Sequence, residues 1–225
     1  MKKRALDLFC KAGGASRGLQ QQGFHVTGVD IALQPNYCGD VFIQHDAFHV
    51  AEVTPLDQFD LVWASPPCQG RTAYKRRPNH VRPVDTDGAI LRIRQALRFR
   101  NIPHIIENVP GSPLDNPITL CGSMFGLDVR RHRCFETSFD LIQPSCRHHL
   151  QQGSFAQATN RKNRRKTVEI GVWRIPLDVQ RVAMGIDWMS LEELSEAIPP
   201  AYSEWLACRF LASLAASADQ LRQVR

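Results

Sequence analysis

Cys68 lies in Ser65-Pro66-Pro67-Cys68-Gln69, directly after the apolar run Phe59-Asp60-Leu61-Val62-Trp63-Ala64. A run of that length and composition reads as a buried parallel strand, so the thiol falls at its carboxyl end, held there by two prolines. An isolated Pro-Cys pair is most simply a packing cysteine in a turn. Two further strings change that reading. A second apolar stretch, residues 102–106, leads into Glu107-Asn108-Val109, and Arg131-His132-Arg133 follows. A nucleophilic cysteine, a carboxylic acid and a pair of guanidiniums can together activate an electron-poor ring.

The strings recur in a definite order. Asp7-Leu8-Phe9-Cys10-Lys11-Ala12-Gly13-Gly14 comes first, then Pro67-Cys68-Gln69, Glu107-Asn108-Val109 and Arg131-His132-Arg133, and last Ala197-Ile198-Pro199-Pro200. In that order they resemble the motifs of DNA cytosine-5 methyltransferases, and the resemblance runs from about residue 5 to about residue 212. It implies a Rossmann-like methyltransferase fold, S-adenosyl-methionine as cofactor and methyl transfer to carbon 5 of cytosine in double-stranded DNA. It also implies that Phe9, Gly13, Gly14 and Pro67 line the cofactor, with Asp46 at the adenine edge. The pattern itself supports part of this. A strand, a Gly-rich turn and a helix let the backbone approach a nucleotide-like ligand, and an acid after the next strand, here Asp30, can accept from ribose hydroxyls. Two positions depart from the family: Lys11 stands where its first loop glycine is usual, and Ser195-Glu196 where its late motif has Gly-Asn.

Carbon 5 of cytosine is a poor nucleophile in the intact ring, and thiolate addition at carbon 6 makes it enamine-like. An ordinary cysteine is only about 3% thiolate at pH 7, so Cys68 needs positive charge nearby, for which Arg131 and Arg133 are the expected sources. Negative charge moves toward ring nitrogen 3, where Glu107 is expected to donate a proton. About one unperturbed Glu in 500 is protonated at pH 7, and burial that lifts its pKa by about 2 makes that about one in six. Asn108 is expected to fix the geometry.

A base inside a duplex cannot reach such a site, so it must be flipped out. Gln69, Arg71, Lys75 and Arg76 belong to a basic loop after Cys68 suited to closing over phosphates. Arg164, Arg165 and Lys166 belong to a second basic run, Arg161-Lys162-Asn163-Arg164-Arg165-Lys166, inside residues 136–172. By position that stretch is the family's target-recognition region, here only 37 residues long.

These side chains need a frame. Strands are expected at residues 4–9, 24–29, 41–43, 59–64 and 102–106 and helices at 15–22 and 87–100, the latter with Ile90, Ile93 and Leu97 on one face. Alternation of strands and helices implies an α/β fold with a doubly wound, mostly parallel sheet and ligands at the strand carboxyl ends. Residues 173–189 and 191–197 form a late part, and Pro200 starts a last helix whose Leu206, Phe210 and Leu214 should pack on the sheet. The expected organisation is a catalytic and cofactor-binding core at 1–135, a very short recognition insertion at 136–172, and a C-terminal part at 173–225 that completes the core.

The chain of 225 residues suffices for one domain with a full core, and its net charge of +6 favours a polyanionic partner. Seven cysteines without paired spacing read as reduced thiols. The apolar stretch after Met1-Lys2-Lys3-Arg4 is broken by Asp7, too short for a signal peptide, and no span or membrane association is expected. A monomer in the cytoplasm of a bacterial cell or phage-infected host fits, as for a phage, prophage or restriction-modification enzyme. Cys10, Cys38, Cys121 and Cys208 are expected to pack, as are Trp188 and Trp205. Cys134, Cys146, His148 and His149 match no standard metal-ligand spacing, and no metal is expected. Two other functions fit the same chain: an RNA cytosine-5 methyltransferase, and a catalytically idle DNA-binding regulatory protein.

Overall fold

The computed structural model describes residues 2–68, 85–154 and 165–223. Five strands, β1 (Arg4–Leu8), β2 (His25–Asp30), β3 (Val41–Gln44), β4 (Leu61–Ala64) and β5 (His104–Asn108), run parallel, and β6 (Ile118–Leu120) and β7 (Arg133–Thr137) complete one sheet. The strand order is β3-β2-β1-β4-β5-β7-β6, with β7 antiparallel to both β5 and β6. A separate pair, β8 (Gln151–Ser154) and β9 (Arg165–Thr167), is parallel. The helices are α1 (Gly14–Gln21), α2 (Thr86–Phe99), α3 (Leu177–Met184), α4 (Leu191–Glu196) and α5 (Pro200–Gln223).

Alternation along the strands makes two cores from one sheet. Leu6, Leu8, Val62, Ala64 and Ile106 face α2, where Ile90, Ile93 and Leu97 meet them at the expected spacing. Ala5, Leu61, Trp63, Ile105 and Phe135 face the other way, against Leu19 of α1 and Tyr202, Leu206 and Phe210 of α5. Each fully buried large side chain contributes about 1.5–3 kcal/mol. The approach of α1 to α5 is close because of Gly18, at which a side chain would collide with the Pro200 carbonyl and the Ser203 hydroxyl. A third cluster joins Met184, Ile186, Met189 and Leu194 of the late part to Ala12 and Val129 of the core. No described helix is long and apolar enough to cross a membrane.

Several expectations need correction. Leu214 is 38% exposed, because α5 has by then passed the last of the core side chains it packs with, near Phe210 and Leu211. Cys208 is exposed. Trp188 and Trp205 do pack against core clusters but are half-buried, and Trp188 donates its indole N–H to the Ala12 carbonyl at 2.8 Å. Strands β6 and β7, unforeseen in the sequence, bring in a buried ion pair: Glu136 of β7 is 1% exposed and faces Arg94 of α2. Arg94 Nε and Nη2 donate to its two oxygens at 2.8 and 2.6 Å, Arg98 adds a third bond at 3.0 Å and the Asp115 amide a fourth at 2.9 Å.

Removing one partner of such a pair strands the other charge without water. Glu136→Ala should therefore destabilise the fold by about 3–5 kcal/mol in urea denaturation, and Glu136→Leu combined with Arg94→Met should recover most of the loss. A loss below about 1 kcal/mol in the single variant would show the pair to be dispensable.

Candidate active site

The sheet register explains how an acid and a guanidinium come to share one site. Glu107 is opposite Phe135 in the β5–β7 ladder, which places Arg133 diagonally across from it on the same face, within reach of long side chains. Arg133 Nε lies 3.3 Å from Glu107 Oε1. Glu107 is 8% exposed. Burial raises its pKa above the ordinary carboxyl value, while Arg133, a hydrogen bond from Ser65 and Arg131 pull it down. Ser65 is itself oriented: the Trp63 indole N–H donates to its Oγ at 2.9 Å, leaving the hydroxyl proton for Glu107.

Cys68 follows at the end of the Ser65-Pro66-Pro67 turn, half-buried. The turn is pinned from the neighbouring strand. Asn108 Nδ2 donates to the Pro66 carbonyl at 2.9 Å, and its Oδ1 accepts from the Val109 amide and the Ser112 hydroxyl. Asn108 thus holds the geometry as expected. The charge balance differs from expectation. Burial pushes the Cys68 thiol up, the Glu107 carboxylate pushes it further, Arg133 draws it down and Glu196 pushes it up again. The resting cysteine is therefore a thiol, drawn down by Arg133, and Arg131 also feels its charge.

Arg131 also clamps backbone. Its Nε and Nη2 donate to the carbonyls of Ala197 and Ser195, both at 2.6 Å, and its backbone φ is +39°. The Tyr202 hydroxyl donates to the Arg131 carbonyl at 2.9 Å. Burial lowers the Arg131 pKa to about 9, which leaves it a cation at pH 7. Arg131 fastens the arginine segment to the stretch leading into α5, and the sequence offered no sign of this. The same stretch meets the glycine loop: a side chain at Gly14 would come 2.7 Å from the Ile198 carbonyl.

That loop concentrates backbone strain. Phe9 and Lys11 have φ of 61° and 46°, in the left-handed region that costs non-glycine residues about 1–3 kcal/mol each. Gly13 follows at 86°. Asp30, at the end of β2, accepts from the Lys11 amide at 3.1 Å and the Ala32 amide at 3.0 Å. A carboxylate has about four acceptor positions, so two remain for hydroxyl donors such as a ribose diol, and the site fits the implied cofactor. Asp46 caps a 3-10 turn by accepting from the Phe48 amide at 2.9 Å. The Phe9 and Phe48 rings meet edge to face, 5.3 Å apart. Beside them a cleft of about 560 Å³ is lined by Leu8, Ala47, Phe48, Arg92, Ile93 and Ala96. The two departures from the family pattern find each other: Lys11 Nζ lies 3.5 Å from Glu196 Oε2, both half-exposed.

Of the residues expected on nucleic acid, Gln69, Arg71, Lys75, Arg76 and Arg164 lie outside the described residues, while the backbone of Arg165 and Lys166 forms β9. The cysteines and histidines fall differently than expected. Cys134 lies apart from Cys146, its Sγ 3.5 Å from Thr119 Oγ1, and His149 is exposed. Cys121 and His132 are instead the residues that meet Cys146 and His148.

No protein-family model and no curated protein sequence matches the chain. Solved structures match its fold. A candidate DNA modification methyltransferase encoded within an E. coli prophage aligns over 95% of this chain and 99% of its own, with a TM-score of 0.60 at 13% identity. A methyltransferase of Entamoeba histolytica aligns over the same shares with a TM-score of 0.55 at 12% identity. The chain has a Rossmann-like methyltransferase fold.

Because the Glu107 charge raises the Cys68 pKa, Glu107→Gln should lower it. The midpoint of Cys68 alkylation against pH, followed by peptide mass spectrometry, should move to lower pH, and labelling at pH 7 should rise. An unmoved midpoint would separate the two side chains.

Proposed function

We propose that this chain transfers a methyl group from S-adenosyl-methionine to carbon 5 of a flipped-out cytosine in double-stranded DNA. The observation that carries this is a buried acid of raised pKa acting on a cysteine across neighbouring parallel strand ends, with Arg133 between opposite demands. Bound at the glycine loop, the cofactor supplies an electrophilic methyl. Phe9, Gly13, Gly14, Asp30, Asp46 and Pro67 would hold it there. Cys68 Sγ adds to carbon 6, the C5=C6 double bond breaks, and its electrons delocalise toward nitrogen 3, where Glu107 donates its proton. Carbon 5 is thereby a nucleophile. After transfer, water takes the carbon 5 proton, the double bond re-forms as the Cys68 thiolate leaves, and nitrogen 3 returns its proton to Glu107.

Arg133 holds Glu107 and balances charge as the thiolate forms, and Arg131 positions the segment. The basic residues Arg71, Lys75, Arg76, Arg164, Arg165 and Lys166, with Gln69, serve the nucleic acid, the last three within the short recognition segment 136–172. Phosphate contacts give affinity without discrimination, whereas reading bases needs side chains at groove edges. A segment this short specifies roughly two to four base pairs.

Cys68→Ala should abolish transfer while leaving cofactor binding intact, and Glu107→Gln should slow it by about 10²-fold. Duplex DNA carrying cytosine fluorinated at carbon 5 should trap an adduct at Cys68, since fluorine cannot leave as a proton does. Bisulfite sequencing of DNA from a methylation-free bacterial host expressing the chain reads both the activity and the site. Turnover of Cys68→Ala within tenfold of wild type, or methylation confined to RNA, would overturn the proposal.

A further inference from the structure

Four side chains with metal-ligating atoms converge outside the reaction centre. Cys121 follows β6, His132 precedes β7, and Cys146 and His148 come from the segment beyond β7, yet their ligand atoms all lie within 4.8 Å of one another. Cys121 Sγ is 3.1 Å from His148 Nε2, and Cys146 Sγ is 3.6 Å from His132 Nε2. A tetrahedral zinc with Zn–S of about 2.3 Å and Zn–N of about 2.0–2.1 Å separates a sulfur from a nitrogen by about 3.6 Å. The four atoms thus stand near the corners of such a tetrahedron. We propose that Cys121, His132, Cys146 and His148 form a structural zinc site.

Donor chemistry selects the metal. Two thiolates and two imidazoles in tetrahedral array suit zinc, while hard cations take oxygen ligands. The ligands are also braced from behind. Ser123 Oγ lies 3.2 Å from Cys121 Sγ and accepts from the Arg147 amide at 3.1 Å, tying together the two loops that carry three of the ligands. The two imidazole planes are perpendicular, 90°, with centroids 5.2 Å apart, so each presents a ring edge without stacking.

The segment needs such a clip. Past Phe139 and Leu141, which pack against the core, none of residues 142–150 is buried, so apolar packing supplies little to hold their path. A metal can replace a missing core. Its consequence reaches the reaction centre, because His132 is the residue between Arg131 and Arg133. Zinc at this site would anchor the segment beyond β7 to the base of the strand from which Arg133 meets Glu107. The site stands on its own donors and is independent of the reaction proposed above.

The test is elemental analysis of the full, untagged chain purified from zinc-supplemented medium. One zinc per chain is expected, falling severalfold in Cys146→Ser and His148→Asn and unchanged in Cys208→Ser, which replaces an exposed cysteine outside the site. Co²⁺ exchanged into the wild type should give the intense visible bands of a tetrahedral thiolate site, so the proposal is read even if a variant fails to fold. It is overturned if folded wild type holds less than about a tenth of an equivalent of zinc and shows no such bands. Full zinc occupancy in Cys146→Ser, or a Cys121–Cys146 disulfide in place of metal, would overturn it equally.

Discussion

An acid inside a sheet has few ways to be tolerated, and Glu107 uses nearly all of them. Buried at the end of a central strand, opposite Phe135, its charged form is costly unless a cation and donors reach it. The antiparallel turn-back of β7 supplies Arg133 on the same face, and the turn after β4 supplies Ser65. That requirement accounts for the reversal of β7, which runs against the rest of its sheet, β6 being antiparallel to β7 and so aligned with the other five. It also accounts for the care with which the arginine segment is anchored. Tyr202 holds its carbonyl, and Arg131 grips Ser195 and Ala197.

The same acid sets the proton inventory of the site. Glu107 as carboxylate with Cys68 as thiol, and Glu107 as acid with Cys68 as thiolate, hold one proton between them. They are tautomers, so their ratio does not change with pH while the pair keeps that proton. The resting form favours the thiol, and the thiolate that the proposed reaction requires is reached by moving a proton within the pair. Delivery of that proton to nitrogen 3 would couple acid and nucleophile without drawing on solvent.

Much of this frame was legible in the sequence where side chains repeat in register with their element. The parallel strands, α1 and α2 appear within one or two residues of expectation, because their apolar faces are unbroken. Asn108 was legible too, as a side-chain amide next in sequence to the candidate acid and able to brace the turn beside it. What escaped depends on pairing between distant segments. β6 has three residues and no pattern of its own, and it exists because β7 offers it an edge. The Arg94–Glu136 pair joins positions 42 apart, and neither residue advertises burial. That Arg131 also grips two carbonyls escaped notice, because composition cannot say which carbonyls a guanidinium meets. Cys121 and His132 belong to a spacing, Cys-X10-His-X13-Cys-X-His, that no standard motif describes.

Lys11 and Glu196, each odd against the family pattern, form a half-exposed pair, and Glu196 is also among the charges that raise the Cys68 thiol. Lys11 thus stands beside one of the acids that raise the thiol of Cys68, far along the chain. An exposed pair of this kind is worth no more than about 1 kcal/mol and weakens with ionic strength. Since dissolved salt loosens an exposed pair of this kind, ionic strength bears on a charge that acts on Cys68, separately from any effect on nucleic-acid affinity.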